Sequence, residues 1–297
     1  MTRFSITVAT ALLATSTAAA QPQNAGGAAS PENAPAAQSG RTQKPRVPIK
    51  ARTHEEYVAY QEAIAKKQDA DAMAKAAAEF ASKFPDSDVR VLLYRASMKS
   101  YRQAGEAQKM MDAALKVLQL SKDDPEALLA VAQVQEEHTS QMDLDRDERM
   151  DQAIANAQHA LATIDTDLVV PVNTQPDSIE PYKKYLRASA LAIVGTIQYR
   201  REQYPEAERT LRQAIDANPT NVDGVIVLRL ALALDQEKKY QEALEQANRA
   251  VELTKEDSEA GRLARNERGR LTALLAQNSA PGTSDVVPAS NDSSPGQ

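Results

Sequence analysis

The 297-residue chain contains no cysteine and no tryptophan, and only 3 phenylalanines. The first absence excludes disulfides, thiol catalysis, thiolate metal sites and the lipid-bearing cysteine of a bacterial lipoprotein. Aromatic residues make up 4% of the chain against 42% that are apolar, which leaves alanine and leucine to build the core. Alanine is the strongest helix former, and small side chains let helices approach closely, so the composition points to an all-α protein. The net charge of -6 argues against a mainly nucleic-acid-binding protein. No G-x-S-x-G, Walker loop or G-x-G-x-x-G occurs, so no catalytic residue and no cofactor is expected.

The ends of the chain are of a different character from its middle. Residues 1–20 carry Arg3, then the short apolar run "FSITVATALL", then the small residues "ATSTAAA". This is the layout of a secretory signal peptide cleaved after Ala20, with an apolar run too short for a membrane span. The mature protein is therefore expected to be exported, periplasmic or secreted, with no membrane span. Residues 21–52 hold five prolines and two adjacent glycines without apolar periodicity, and read as a disordered linker. Its end, "RTQKPRVPIKAR" (41–52), has five basic residues and no acidic one; such a run suits an anionic surface or partner, or is a plain solvated linker. Residues 278–297 read as a second low-complexity tail.

Residues 53–277 alternate helical periodicity with turn signals. "THEE" (53–56) is a capping box in which Thr53 and Glu56 satisfy each other's amides. Tyr57, Tyr60 and Ile64 recur at helical spacing, as do Met73, Ala77 and Phe80, then Tyr94, Met98 and Tyr101, then Met110, Ala114 and Val117. Asp124 and Pro125 open a further helix as N-cap and first residue. Short helices joined by tight turns suggest helical hairpins, expected at 54–85, 90–121, 125–164, 180–219 and 222–256. A final helix over 258–276 is expected to cap the array, with Arg262, Arg265, Arg268 and Arg270 on its outer side.

The last two hairpins share a register. Tyr240, Ala243, Ala247 and Ala250 repeat the spacing of Tyr204, Ala207, Leu211 and Ala214, each displaced by 36 residues. Val227, Leu230 and Ala231 likewise follow Leu191, Val194 and Gly195. With Leu191-x2-Val194-Gly195, Ala207-x3-Leu211, Ala214 and Pro219, the stretch resembles the tetratricopeptide repeat, a helix–turn–helix unit of roughly 34 residues. It departs from that signature at Leu191 (for Trp), at Gln198 (for Tyr) and by two extra residues. Units 188–221 and 224–257 match best. The resemblance implies a right-handed α-solenoid of stacked antiparallel helix pairs with a C-terminal capping helix. Small Ala207 and Ala214 should line the helix–helix seam, Pro205 should open the second helix, and Asn221 should cap the next.

In that family the first helix of each pair lines a groove that receives a peptide or a partner protein. The resemblance places Arg95, Lys99 and Arg102 on one such face, Thr196, Tyr199 and Arg200 on that of the fourth hairpin, and Leu228, Leu232 and Asp235 on that of the fifth. The carboxylate-clamp chemistry of some members is missing at Ala192 and Thr196. Asp143, Asp145 and Asp147 are spaced like the start of a calcium loop, but Glu148 and Ile154 stand where glycine and a bidentate glutamate are needed. His54, His138 and His159 have no ligand spacing, so no metal is expected. The insertions 138–149 and 165–180 are long, and the apolar "LVVPV" of the second is expected to pack on the repeats or to contact a partner. The function implied is a non-catalytic protein-interaction scaffold of the cell envelope. The alternative is an envelope-assembly or secretion factor whose basic linker touches an anionic surface. A hydrolase of envelope polymers stands third, because no catalytic constellation appears.

Overall fold

The computed structural model describes residues 49–170 and 174–279. The expected leader, nearly all of the linker and nearly all of the tail lie outside the described residues, as do Pro171 and Val172 of "LVVPV". Every regular element among the described residues is an α-helix. The all-α expectation holds. The helices fall into two compact units, one ending at Ala113 and the other beginning at Ala114.

The first unit holds α1 (His54–Ile64), α2 (Ala70–Lys83), α3 (Arg90–Ala104) and the start of α4 (Ala107–Leu120). Its core joins Ala63 to Met73, Ala76, Ala77, Phe80, Val89 and Leu93, with Tyr60 and Ile64 packed against them. Tyr57 faces out instead, at 51% exposure. The capping box forms with one change. Thr53 Oγ1 accepts the Glu56 amide at 3.1 Å, but the Glu56 carboxylate takes the Arg52 amide rather than that of Thr53. Glu56 is buried, and it also accepts the Ser87 hydroxyl, which holds its carboxyl below the ordinary range. A helix start thereby becomes a tie to the α2–α3 turn.

The second unit holds α5 (Pro125–His138), α6 (Arg146–Asp167), α7 (Pro176–Arg200), α8 (Tyr204–Ala217), α9 (Gly224–Gln236), α10 (Tyr240–Leu253) and α11 (Glu259–Ser279). Each helix packs on the next, and α5, α7, α9 and α11 also touch in turn. These four form one layer and α6, α8 and α10 the other. The seams are lined by small side chains at helical spacing: Ala153, Ala157 and Ala160 on α6, Ala207, Leu211 and Ala214 on α8, and Ala243, Ala247 and Ala250 on α10. All nine are at most 1% exposed. The helices of these seams differ in face rather than in propensity, since each turns one alanine-rich stripe inward and leaves charge outside.

α7 starts earlier than expected, at Pro176, and carries Pro181 inside it. The interruption is mild because the amide that Pro181 lacks would reach only into the first turn. Ahead of α7, Leu168 packs on the α5–α7 core, so the described start of the apolar insertion does lie against the repeats. Pro205 sits in the first turn of α8, as expected. The cap of α9 is not Asn221, however. Asp223 fills that position, its carboxylate accepting the Val225 amide at 2.8 Å, while the Asn221 carbonyl accepts from the Asn218 side chain. The Asn-Pro pair ends α8, and two more residues are needed before the chain points along α9.

Asp165 ties α6 to α7 through Arg187 at 2.6 Å and Lys183 at 3.1 Å. Its carboxyl is held below the usual value, chiefly by the Arg187 hydrogen bond. A depressed carboxyl stabilises the fold above its unfolded pKa, near 4, and that stability is lost as pH falls through the lower folded value. Because Asp165 is half exposed, the contribution is about 0.5 kcal/mol. Asp165→Asn should therefore melt slightly earlier at pH 6 and show a smaller drop in melting temperature between pH 6 and pH 3.

Candidate functional site

Three tight turns reverse the chain in the same way. Gly105, Glu202 and Lys238 all take left-handed backbone conformations, with φ of 73°, 62° and 62°. The next amide in each case returns to the carbonyl five residues before it: Glu106 to Tyr101, Gln203 to Gln198 and Lys239 to Leu234, at 3.0, 3.0 and 2.9 Å. This closes the last turn of the first helix and starts the second at once. The seam that follows explains Gly195. A Cβ there would stand 2.8 Å from Leu211 Cγ, so only glycine lets α7 and α8 meet across a leucine. Thirty-six residues on, the pair becomes Ala231 and Ala247, both fully buried. A glycine–leucine pair is exchanged for two alanines of intermediate size. The helical pairs are tetratricopeptide-like.

No family model matches the sequence, and no curated protein matches it. The fold is similar to that of a thermophilic TPR protein from Thermus thermophilus, at 14% identity and a TM-score of 0.42, over 74% of this chain and 99% of that one. It is also similar to an assembly chaperone of RpL4 (residues 1–338), at 14% identity and a TM-score of 0.41, over 75% of this chain and 99% of that one.

The residues expected to line a groove divide into groups. Arg95, Thr196 and Leu228 are buried, at 5%, 5% and 2% exposure, so they are packing groups rather than a surface. The Thr196 hydroxyl donates to the Ala192 carbonyl at 2.7 Å, a turn back along its own helix. Lys99 is exposed, and half-buried Arg102 has an Nε without a hydrogen-bond partner. The basic stripe of α3 is thus split between interior and surface. Tyr199 rests edge-on against Tyr204, with ring centroids 5.6 Å apart. Burial raises its phenol pKa, helped by Tyr204 and the charges of Glu267 and Asp235. Arg200 donates to the carbonyls of Glu136 and Thr139 and pairs with the Glu136 carboxylate at 3.5 Å, so it ties α7 to the end of α5.

Asp235 is held at 2.5 Å by Arg270, which also reaches Glu267 at 2.8 Å. Flanked by two carboxylates, the Arg270 guanidinium is driven well above its ordinary pKa. Arg270 therefore points toward α9 instead of outward, and Arg265 donates to the Glu256 carbonyl. The capping helix keeps only part of its expected basic outer side, with Arg262 exposed and Arg268 half-buried. α11 turns Gly261, Ala264, Glu267 and Leu271 inward.

An accessible band remains on α9 and α11 once the ion pairs are accounted for. Leu232 is half-buried on the core. Arg229, one turn before it, and Arg268, its equivalent 36 residues on, are half-buried and make no side-chain hydrogen bond or ion pair with any described residue. Arg229 was not singled out from the sequence, and Arg268 was expected only as part of the basic outer side of the capping helix. Continuing the 36-residue displacement from Thr196 through Leu232 to Arg268, and from Ile193 through Arg229 to Arg265, would have found both. Elsewhere a recess among Tyr185, Ala188, Ala214, Ile215, Asn218 and Ile226 has a volume of about 30 Å³, room for about one water.

The remaining candidates resolve into structural roles. Asp143 pairs with Arg149 at 3.4 Å and His159 meets Asp123 at 2.9 Å, while His54 and His138 are exposed. Among the described residues, no three His, Asp or Glu converge on a point where a metal would sit, and no helix is long and apolar enough to cross a membrane. Arg52, at the end of the basic run, pairs with Asp88 at 3.2 Å.

Proposed function

We propose that the chain is a non-catalytic interaction scaffold of the cell envelope that binds an acidic protein segment along the first-helix face of α9 and α11. The observation that carries this reading is the band of Arg229, Leu232 and Arg268. Its two guanidinium groups lack partners among the described residues, although the acidic side chains Asp235 and Glu267 stand on the same helices. A guanidinium offers paired donors to a carboxylate, and half-buried Leu232, one turn along α9 from Arg229, offers an apolar contact. Stacked helices are ordered before binding, which lowers the entropic cost of recognition. The leader-like residues 1–20 support export.

Fluorescence polarisation with labelled peptides of alternating Glu and Leu tests the binding. The Arg229→Ala, Arg268→Ala double variant should bind roughly tenfold more weakly and lose most of the salt dependence. Equal binding of acidic and basic peptides, or equal affinity of the variant, would dispose of the site. Fractionation of cells expressing the full chain and a version lacking residues 1–20 tests the location.

A further inference from the structure

The turn between α5 and α6 inverts the usual arrangement of a surface loop. Its large apolar side chains point out: Met142 and Leu144 are 91% and 108% exposed. Two of its polar side chains bond back to the turn itself. Asp143 accepts the Ser140 amide at 2.8 Å and pairs with Arg149 at 3.4 Å, and the Ser140 hydroxyl accepts the Met142 amide at 3.3 Å. The roots of the turn are fixed as well. Arg200 donates to the carbonyls of Glu136 and Thr139, Arg146 donates to the Arg200 carbonyl at 3.0 Å, and Arg201 donates to that of Asp147 at 3.0 Å. A turn pinned at so many points holds Met142 and Leu144 away from the helices behind it. Single exposed apolar residues are ordinary on a protein surface. Two within three residues, both fully exposed on a pinned turn, are a feature that needs an occupant.

The charges around them select its kind. The basic residues of the segment, Arg146 and Arg149, are engaged as described, while Asp145, Asp147 and Glu148 are exposed. The tip therefore presents an apolar centre with an acidic border. We propose that Met142 and Leu144 anchor a docking knob that inserts into an apolar recess, rimmed by lysine or arginine, on a partner protein. The apolar anchors lose water at the centre of the contact, and the border carboxylates steer the approach. An anionic membrane is disfavoured by the same carboxylates. This knob shares no residue with the α9–α11 band, so either surface can fail without the other.

A photo-crosslinking amino acid placed at position 144 of the full chain, expressed in its own cells, identifies the occupant, which is then purified and titrated. The Met142→Ser, Leu144→Ser double variant is expected to weaken that binding tenfold or more. The triple change Asp145→Asn, Asp147→Asn, Glu148→Gln is expected to slow association and flatten its salt dependence. The serine variant should melt like the unmodified chain, because Met142 and Leu144 lie outside the core, while the triple change also removes the acidic start of α6 and the Asp145–Arg149 pair and should melt slightly earlier. Undiminished affinity of both variants overturns the proposal. So does a crosslink only to a second copy of the chain, with a dimer that Leu144→Ser abolishes. Sedimentation with phosphatidylglycerol vesicles that Leu144→Ser abolishes overturns it in favour of a membrane. A crosslinking pattern no different from that of the same probe at exposed Gln103 overturns it too.

Discussion

Leu211→Ala should lower the stability of the second unit by about 3 kcal/mol, the range for emptying a fully buried leucine site that the surroundings only partly refill. Leu211 is wholly buried, and it lies against the one position of α7 that has no Cβ. The contact makes a sharper experiment possible. Gly195→Ala alone should cost about 1–3 kcal/mol, because the new methyl group would stand 2.8 Å from Leu211 Cγ and 2.9 Å from Cδ2. In the Leu211→Ala background those two atoms are gone, and the Leu211 amide nitrogen, at 3.4 Å, is the nearest remaining obstacle. The same Gly195→Ala change should then be stabilising by about 0.5–1 kcal/mol, since alanine is the better helix former. The two mutations should be non-additive to the point of a reversed sign. Denaturant melts of the four proteins measure the cycle, and an equal effect of Gly195→Ala in both backgrounds would refute the packing described.

The second large effect belongs to Arg200→Met. The substitution keeps much of the side-chain bulk but removes donors to the carbonyls of Glu136 and Thr139 and the partner of the Glu136 carboxylate. Glu136 is buried at 5% exposure, so its charge would be left without its cation. The expected loss is about 2–4 kcal/mol. Hydrogen exchange should quicken at the end of α5 and through the α5–α6 turn, because Arg200 holds that turn at its root. Unchanged exchange there would show that Arg200 holds nothing, and its place among groove residues would stand open again.

The packing side of this molecule was legible from its residues. Ala207, Leu211, Ala214, Ala243, Ala247 and Ala250 declare themselves because a seam between helices accepts only a narrow range of sizes, and that constraint recurs with each pair. The residues expected to line a groove were less legible for the opposite reason. Helical spacing places Arg95, Lys99 and Arg102 on one stripe, but spacing does not reveal what lies across from it, and Arg95 is buried. Arg200 and Asp235 look like surface charges until Glu136 and Arg270 are seen to meet them from 64 residues upstream and from a neighbouring helix. Asn221 looks like a cap because it follows Pro219. Asp223 holds that position because the chain has still to turn after the proline. Long-range polar partners leave no trace in local periodicity.

The shared left-handed residue at Gly105, Glu202 and Lys238 makes the turns interchangeable parts. Wherever it falls, the chain leaves one helix and enters the next by the same backbone path, whichever residue occupies the place. A gene segment copied from one such turn to the next would join its neighbours in register and carry a complete helix–helix seam with it. Glycine holds the conformation at one turn, while glutamate and lysine hold it at the others against their own preference. The same reversal thus accepts three different residues, each followed by the same return hydrogen bond.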